Sequence, residues 1–324
     1  MLRFGISHRF HKEKIKFRTT TPNKILNGGE RETAQAHLSH IALNNAKAFE
    51  ASIEACAKLG IGCFRPPVLF PLATHETLGY TLDSLSDYKE IQGICYHIGQ
   101  EALRLGIRII FEPTQHCTLG CPREEITRQS IKELNLILEI QKLLRIDDAI
   151  ILSLGKPYGN DGETLIRISE RINTFDEELR HRLVLMNDDT FTAWETWTFT
   201  RVLHLDCAFD WQADRLNPEE VAVKPEIYFT TYRRYEPIYR LGSFPPGKTS
   251  GQDNYIDEND IDQKLLSWAY ENNVTFELEA NYKEYAIKKV LDKLIIAEHM
   301  GKKMQSSFSE TKKESYIYQP LQKV

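Results

Sequence analysis

The sequence predicts a single (β/α)8 barrel. Short apolar runs alternate with amphipathic stretches along nearly the whole chain, and no obvious linker separates one part from another. Eight strands joined by helical crossovers form a closed barrel in proteins of this size. The length of 324 residues fits one large barrel as well as two ordinary domains. The alternation of strand-like and helix-like segments without a linker favours the single barrel. We assign residues 1–300 to the barrel and expect the polar stretch 301–324 to be a flexible tail.

The strands are predicted from apolar runs of strand length, at 2–6, 61–65, 107–112, 149–154, 182–187, 201–206, 225–230 and 274–279. The clearest helices are predicted between and after them, at 34–59, 87–105, 124–145, 161–172 and 282–300. The last of these helices repeats its apolar residues with the 3.6-residue period of an amphipathic helix. Gly60 and Gly106 follow two of the helices, where a left-handed residue is favoured.

Two unusually long loops, 7–33 and 231–259, follow predicted strands. In a barrel of this kind the loops after the strands form the catalytic face, so we expect both loops there. Residues 8–31 contain seven Lys or Arg against two Glu, and residues 233–248 contain a second basic cluster. A charge cluster is usually a solvated surface, but two on one face would suit a DNA-binding protein.

The composition excludes several classes of protein. A net charge of −5 argues against a protein that coats nucleic acid over its whole surface. No apolar run approaches the roughly 20 residues that span a membrane. The first residues lack the apolar core and cleavage site of a secretion signal, so we expect a cytoplasmic protein.

Three carboxylates end predicted strands, at Glu112, Asp206 and Glu279. Strand ends on the catalytic face of a barrel carry its reactive groups, and carboxylate oxygens are preferred ligands of Mg²⁺ and Mn²⁺. One divalent cation held by these three residues is therefore one interpretation. The alternative is that they bind no metal and hydrogen-bond a ligand or each other.

Several short segments follow one another along the chain in a recognisable order. They are Phe111-Glu-Pro-Thr-Gln115, Leu185-Met-Asn-Asp-Asp189, Leu205-Asp-Cys-Ala-Phe209 and Pro225-Glu-Ile-Tyr-Phe-Thr-Thr231. Together they resemble the segments His-Pro-x-Gln, Leu-Glu-Asn-Asp-Asp, Phe-Asp-x-His-His and Pro-Lys-x-His-Leu-Ser-Ser of the UV damage endonucleases, a family of barrels similar to xylose isomerase. The match covers roughly residues 1–300, and the order and spacing of the segments carry it.

The resemblance implies a DNA-repair enzyme that nicks DNA on the 5′ side of UV photoproducts, with divalent metals held by histidines and carboxylates. Matched in this way, Asp206 and Glu279 keep the family's residue type. The other ligand positions are substituted: Glu112, Ser153, Met186, Phe209, Glu226, Tyr228 and Gln252. Because Met and Phe cannot bind hard cations, we expect the family's metal cluster to be absent. Either no metal or one Mn²⁺ or Mg²⁺ ion would remain.

Other positions point to ligand binding. Gln115 matches the glutamine with which the family probes damaged DNA, and His116 stands in place of the aromatic residue beside it. The residues we expect to contact DNA or another ligand are Arg65, Gln115, His116, Tyr158, Asn187 and Gln252. Asn187 at a strand-to-helix turn also suits a structural cap. Arg65 also suits an internal ion pair with Glu112 or Asp206.

Three functions remain open from the sequence. The first is a barrel that has lost the metal nuclease chemistry and binds DNA, through its basic loops, or another partner. The second is an enzyme repurposed for a small substrate, with Glu112, Asp206, Glu226, Tyr228 and Glu279 as catalytic groups, because clustered buried carboxylates acquire raised pKa values. The third is an active endonuclease with a reduced metal site. Family membership alone supports this third hypothesis, and a fold does not determine a function.

Overall fold

The computed structural model describes residues 2–20, 31–70, 81–219, 227–228, 234–261 and 263–293. It contains eight parallel strands: β1 (Arg3–Ser7), β2 (Cys63–Arg65), β3 (Arg108–Ile109), β4 (Ile150–Ser153), β5 (Leu183–Met186), β6 (Asp206–Asp210), β7 (Ile238–Gly242) and β8 (Thr275–Glu279). Each strand pairs with its neighbours in chain order, and β1 also pairs with β8. A parallel bridge between Phe111 and Ile150 joins β3 to β4. The predicted (β/α)8 barrel is confirmed.

Helices connect the strands: α1 (Arg31–Leu59), α2 (Tyr88–Leu105), α3 (Glu124–Leu144), α4 (Asp161–Asn173), α5 (Glu177–Arg182), α6 (Ala193–Leu203), α7 (Trp211–Leu216) and α8 (Gln263–Glu271). A ninth helix, α9, covers residues 284–293 after β8. The helices predicted at 34–59, 87–105, 124–145 and 161–172 are found within three residues of their expected bounds. Gly60 and Gly106 adopt the expected positive φ, at 69° and 68°.

Alternation along the strands separates two apolar layers. A small inner cluster takes side chains from β2 and from β4 to β7, together with neighbouring extended residues: Cys63, Ile110, Ala149, Ile151, Val184, Met186, Ala208 and Ile238. The intervening residues, such as Phe209, Tyr239 and Phe276, pack outward in the main core against the helices. Because successive side chains point to opposite faces, the next inward positions toward the carboxyl ends are Arg65, Glu112, Ser153, Asp210 and Arg240. Of these positions, Arg65, Glu112, Ser153 and Arg240 form the floor of the site.

The sixth strand was predicted at 201–206, and this is wrong. Helix α6 continues to Leu203, and β6 begins at Asp206. The helix starts from a reciprocal cap in which Thr192 and Glu195 satisfy each other's backbone N–H groups. This Thr-x-x-Glu signature outweighs the β-branched residues later in the segment. Asp206 therefore opens its strand instead of closing it.

The seventh strand was predicted at 225–230, and it lies at Ile238–Gly242 instead. It pairs with β8 in a register that sets Tyr239 beside Phe276. Tyr228 belongs to a short 3-10 turn, and Glu226 lies outside the described residues. The segment 231–259 is therefore not a single loop, because a buried strand runs through it.

The first long loop is described for residues 8–20, and the tail assigned to 301–324 lies outside the described residues. Among the helices that the structure describes, none combines the length and apolarity needed to cross a membrane.

Candidate functional site

A cleft of about 990 Å³ opens at the carboxyl ends of the strands. Its floor is made by the strand ends, and its walls come from the loops that follow β2, β3 and β4. Six of the residues expected from sequence line it: Arg65, Glu112, Gln115, His116, Tyr158 and Glu279. The catalytic face of the barrel thus carries a pocket in the place where the sequence predicts one.

Two buried arginines occupy the floor of this cleft. Arg65 ends β2 and Arg240 lies in the middle of β7, and their side chains are 5% and 8% exposed. Both guanidinium groups contact the same three carboxylates, which belong to Glu112, Glu277 and Glu279. The centre of the site is therefore a network of ion pairs and not a set of free acidic side chains.

Glu277 forms the base of the network and is fully buried. One of its oxygens accepts from Arg65 Nε, and the other accepts from Arg240 Nε at 2.8 Å. Burial alone would raise the pKa of this carboxyl, but Arg240 and Arg65 outweigh burial and lower the pKa to about 2. Glu277 is therefore ionised at any physiological pH.

Glu112 and Glu279 bind the outer side of the same guanidinium groups. Glu112 accepts from Arg240 Nη2 at 2.7 Å and also pairs with Arg65. Burial opposes ionisation of Glu112, yet the two arginines lower its pKa below the ordinary value. Glu279 Oε1 lies 3.1 Å from Arg65 Nη2 and 3.8 Å from Arg240 Nε, and this side chain is 28% exposed. Glu279 is thus the most exposed of the network residues that line the cleft.

His8 sits at the rim, in a left-handed conformation with φ of 63°. Its Nε2 lies 3.2 Å from Arg65 Nη1. His8 is exposed as a whole residue, yet desolvation of its ring, and then the positive charge of Arg65, lower the pKa of His8 to about 4, so the imidazole is neutral near pH 7. Because arginine can only donate, Nε2 is the acceptor and Nδ1 carries the proton.

Asp210 ends β6 and adds a fourth carboxylate beside Arg240. It caps α7 by accepting from the Ala213 N–H at 2.9 Å, and its other oxygen is 3.7 Å from Arg240 Nη1. Burial raises the pKa of Asp210 to about 6 against the opposing effect of Arg240. The carboxyl end of the sixth strand is therefore acidic, through Asp210.

Asp206 is not in this site. It lies at the opposite end of β6, where it accepts backbone N–H groups of Arg234 at 2.9 Å and Tyr235 at 3.3 Å. The structure therefore does not bring Glu112, Asp206 and Glu279 together around one ion. The family segment Phe-Asp-x-His-His fits residues 209–213 as well, and this register places Asp210 at the retained aspartate and Ala213 at the second histidine.

The seventh strand needs the same shift in register. The family segment Pro-Lys-x-His-Leu-Ser-Ser fits the observed strand as Pro237-Ile-Tyr-Arg-Leu-Gly-Ser243. Arg240 then stands at the histidine position, which the sequence comparison had assigned to Tyr228. Tyr228 and Phe209 are buried and stack on each other with ring centroids 5.3 Å apart. Both are core residues, and neither lines the cleft.

The remaining expected residues divide between the cleft and the framework. Gln115 and His116 are exposed on the β3–α3 loop, and Tyr158 is half-buried after β4. Asn187 is buried and clamps the end of β6, donating to the Asp210 carbonyl and accepting its N–H. Gln252 lies in the loop after β7, where its carbonyl accepts from Asn281. Asn187 is therefore structural, but it is not the predicted helix cap, because Thr192 caps α6 and Asn187 bonds the end of a strand.

The described residues do not fit the metal cluster that the family resemblance implies. Mg²⁺ and Mn²⁺ require several free oxygen ligands. Both oxygens of Glu112 and both of Glu277 accept guanidinium N–H groups. Within the described ranges, no group of three or more His, Cys, Asp or Glu side chains is arranged to hold an ion. Guanidinium groups balance the carboxylates in this site.

Sequence reasoning missed Glu277 and Asp210, and it assigned Arg240 to the basic cluster of a loop, whereas Arg240 is buried in β7. Glu277 had a signal, because Thr275-Phe-Glu-Leu-Glu279 carries two carboxylates at positions i and i+2, which share one face of a strand. The apolar run Pro237-Ile-Tyr-Arg-Leu241 was also a strand candidate. Which of these side chains meet in the site depended on strand register, which the pattern of residues does not give.

Comparison with known proteins identifies the family. The family model of the UV-endonuclease UvdE matches residues 4–309. A UV-damage endonuclease of Neurospora crassa is 27% identical over 192 residues, which are 55% of this chain and 28% of that protein. A UV DNA damage endonuclease of Bacillus velezensis is 23% identical over 239 residues, 70% of this chain and 72% of the relative.

The fold agrees with a solved structure. The crystal structure of SacUVDE superposes with a TM-score of 0.75 at 22% identity, covering 91% of this chain and 99% of that one. The chain matches only about a quarter of the length of the fungal relatives from Neurospora crassa and Schizosaccharomyces pombe. Because the family model covers most of the sequence, the chain belongs to the UV-endonuclease UvdE family.

Proposed function

We propose that this chain binds DNA but does not cut it by metal-dependent hydrolysis. The observation that carries the proposal is the pair of buried guanidinium groups, Arg65 and Arg240, held by Glu112, Glu277 and Glu279 on the floor of the cleft. They neutralise the charge that divalent ions would otherwise neutralise. Both oxygens of Glu112 and of Glu277, and one oxygen of Glu279, are thereby engaged.

Guanidinium groups do not supply the chemistry of a metal ion. Metal-assisted phosphodiester cleavage uses the ion to lower the pKa of a bound water and to stabilise the attacking and leaving oxygens. An arginine stays protonated and only donates hydrogen bonds. It can hold a phosphate, but it cannot generate hydroxide. This difference supports binding without hydrolysis.

The walls of the cleft favour DNA as the ligand. Arg123 and Lys156 line it, and Gln115 and His116 are exposed within it. Lys and Arg contacts to phosphates supply most of the affinity of proteins for DNA. The curated relatives are named as endonucleases of UV-damaged DNA. The same substrate class is the natural expectation for the binding activity of this chain.

Two assays on one preparation test the proposal. Supercoiled plasmid, UV-irradiated or untreated, is incubated with the protein and Mn²⁺, and nicking is scored on a gel. Binding of irradiated and untreated duplexes is measured by fluorescence anisotropy. We expect binding with no Mn²⁺-dependent nicking above the buffer control. The Bacillus velezensis relative serves as the positive control for nicking.

The variant Glu279→Gln separates the outcomes. Nicking that requires Mn²⁺ and is lost in Glu279→Gln would overturn the proposal and support an active endonuclease with a reduced metal site. The absence of binding to either duplex, even at low salt, would also overturn it.

A second candidate is an enzyme acting on a small substrate. The cleft volume of about 990 Å³ lies in the range of small-molecule sites, and Glu279 and Tyr158 reach into the cleft beside the buried arginines. Thermal stabilisation by a small carboxylate or sugar phosphate, with no affinity for DNA, would favour this candidate over the first.

A further inference from the structure

The segment between β1 and α1 carries a row of exposed positive charge. Residues 8–18, here called the basic strap, expose five cations and one acidic residue, Glu13; the cations are Arg9, Lys12, Lys14, Lys16 and Arg18. Within the residues that the structure describes, none of these five side chains forms a salt bridge. On a chain with a net charge of −5, this is a local reversal of sign.

The strap is fixed at both ends. The Glu284 carboxylate, at the start of α9, accepts the backbone N–H groups of His11 at 2.7 Å and Lys12 at 2.6 Å. At the other end, Asn45 of α1 accepts from the Arg18 N–H at 2.7 Å and donates to the Arg18 carbonyl at 2.9 Å. The backbone is therefore held in place without any use of the basic side chains.

Alternation along the strap directs its charges outward. Ile15 and Phe17 are half-buried and pack on the main core, whereas Lys14, Lys16 and Arg18 are exposed. In an extended chain, residues two apart are separated by roughly 6.5 Å. The result is a regularly spaced row of cations on a backbone held at both ends.

An aromatic cluster supports the first half of the strap. The ring of His11 lies 4.8 Å from that of Tyr282 and 5.8 Å from that of Tyr285. Tyr255 meets Tyr282 edge-on at 5.2 Å, and Lys289 lies over the Tyr255 ring. These contacts join the strap to the loops after β7 and β8, on the same face of the barrel as the cleft.

The strap also borders the cleft. It begins at His8, which lines the cleft. Its far end is tied through Asn45 to the carbonyl of Leu69 at 2.8 Å, next to Val68 of the cleft wall. We infer that the basic strap binds the phosphate backbone of duplex DNA that extends beyond the cleft. This inference rests on the proposed function and adds a surface and a contact type to it.

Salt dependence tests the inference directly. Affinity for a short undamaged duplex is measured by anisotropy across roughly 50 to 200 mM salt. Each lost phosphate contact lowers the slope of log affinity against log salt by about one. For the fourfold variant K12Q/K14Q/K16Q/R18Q we expect the magnitude of this negative slope to be smaller than that of the parent by about 3 to 4. We also expect its binding at the low-salt end to be at least tenfold weaker.

A matched variant controls for net charge. Lys58, Arg104, Lys142 and Arg201 lie in the last turns of α1, α2, α3 and α6, at the opposite end of the barrel. K58Q/R104Q/K142Q/R201Q removes four positive charges, as many as the strap variant does. We expect the slope of this control to stay within about one of the parent value. Equal losses in both variants would overturn the inference, because bulk charge would then explain the binding.

Three further outcomes distinguish a failure of this inference from a failure of the proposed function. If the parent binds DNA and the strap variant keeps its slope, the inference fails while the proposed function stands. If the parent binds no duplex at all, both fail. If a double-stranded RNA of the same length binds more tightly than DNA through the strap, the assignment to DNA is wrong. Nicking activity bears only on the proposed function.

Discussion

The buried arginine–glutamate network is the residue-scale feature on which the proposed function depends. Arg65 and Arg240 each contact Glu112, Glu277 and Glu279, so every member has more than one partner. Ion pairs in a barrel interior are costly to desolvate, and removing one partner leaves an uncompensated buried charge. The network therefore requires all of its members together.

Arg240→Met tests this dependence. It leaves Glu112, Glu277 and Glu279 sharing one guanidinium, and we expect the free energy of unfolding to fall by about 3 to 5 kcal/mol. Urea denaturation measures the change. Arg104→Met is the control, since Arg104 pairs with Glu101 on the exposed surface of α2 and such pairs contribute little to stability. A loss below about 1 kcal/mol in Arg240→Met would show that the network does not depend on Arg240.

Glu277 also predicts how stability depends on pH. Its pKa in the folded chain is about 2, below its ordinary value of 4.5. An acid whose pKa is lowered by folding stabilises the protein above its unfolded pKa and loses that contribution as the pH falls toward the folded pKa. We expect up to roughly 3 kcal/mol to be lost between about pH 4.5 and 2. The pKa of Asp210 is raised from its ordinary 3.8 to about 6, so its contribution to the free energy of unfolding has the opposite dependence on pH. That contribution is lost as the pH rises from about 3.8 to about 6.

Urea titrations at several pH values check this prediction. Glu277→Gln cannot titrate, so its unfolding free energy should fall less steeply below pH 4.5 than that of the parent chain. Equal slopes in the two proteins would show that Glu277 is not held ionised by the arginines.

At the scale of elements, the hydrogen bonds of Asn45 hold the strap against α1. The side chain is fully buried and bonds to Arg18 N, Arg18 O and Leu69 O. We expect Asn45→Ala to release this end of the strap and speed tryptic cleavage after Lys14 and Lys16 by roughly tenfold or more, because lost buried hydrogen bonds cost about 1 to 3 kcal/mol.

The neighbouring residue provides the control for this experiment. Asn44 is next to Asn45 in α1, and its side chain donates to the His40 carbonyl of its own helix. Asn44→Ala should leave the cleavage rate of the strap unchanged. Equal cleavage in both variants would mean that Asn45 does not hold the strap.

The elements also show where sequence reasoning succeeds and fails. The 3.6-residue period locates α1 to α4 well, because long amphipathic helices repeat one signal many times. Two strands were misplaced, since the helix cap at Thr192 was overlooked and the run at 225–230 looked as strand-like as Ile238–Gly242. Each error moved a site residue: Asp206 replaced Asp210, and Tyr228 replaced Arg240.

For the whole molecule, the barrel was predictable and its chemistry was not. Strand and helix alternation gives the fold, and the order of the family segments gives the family. The ion-pair network depends on which side chains point inward at the same height in neighbouring strands, as Arg240 and Glu277 do across β7 and β8. This property comes from three-dimensional register, and a shift of one residue would reverse it.

Equilibrium binding of Mn²⁺ to the purified protein shows whether the cleft holds a divalent ion. Free Mn²⁺ is followed by its electron paramagnetic resonance signal during a titration, with the Bacillus velezensis relative measured beside it. Because guanidinium groups engage the carboxylates of the cleft floor, we expect no stoichiometric Mn²⁺ site in this chain. Stoichiometric Mn²⁺ binding that disappears in Glu279→Gln would show instead that the cleft is a metal site.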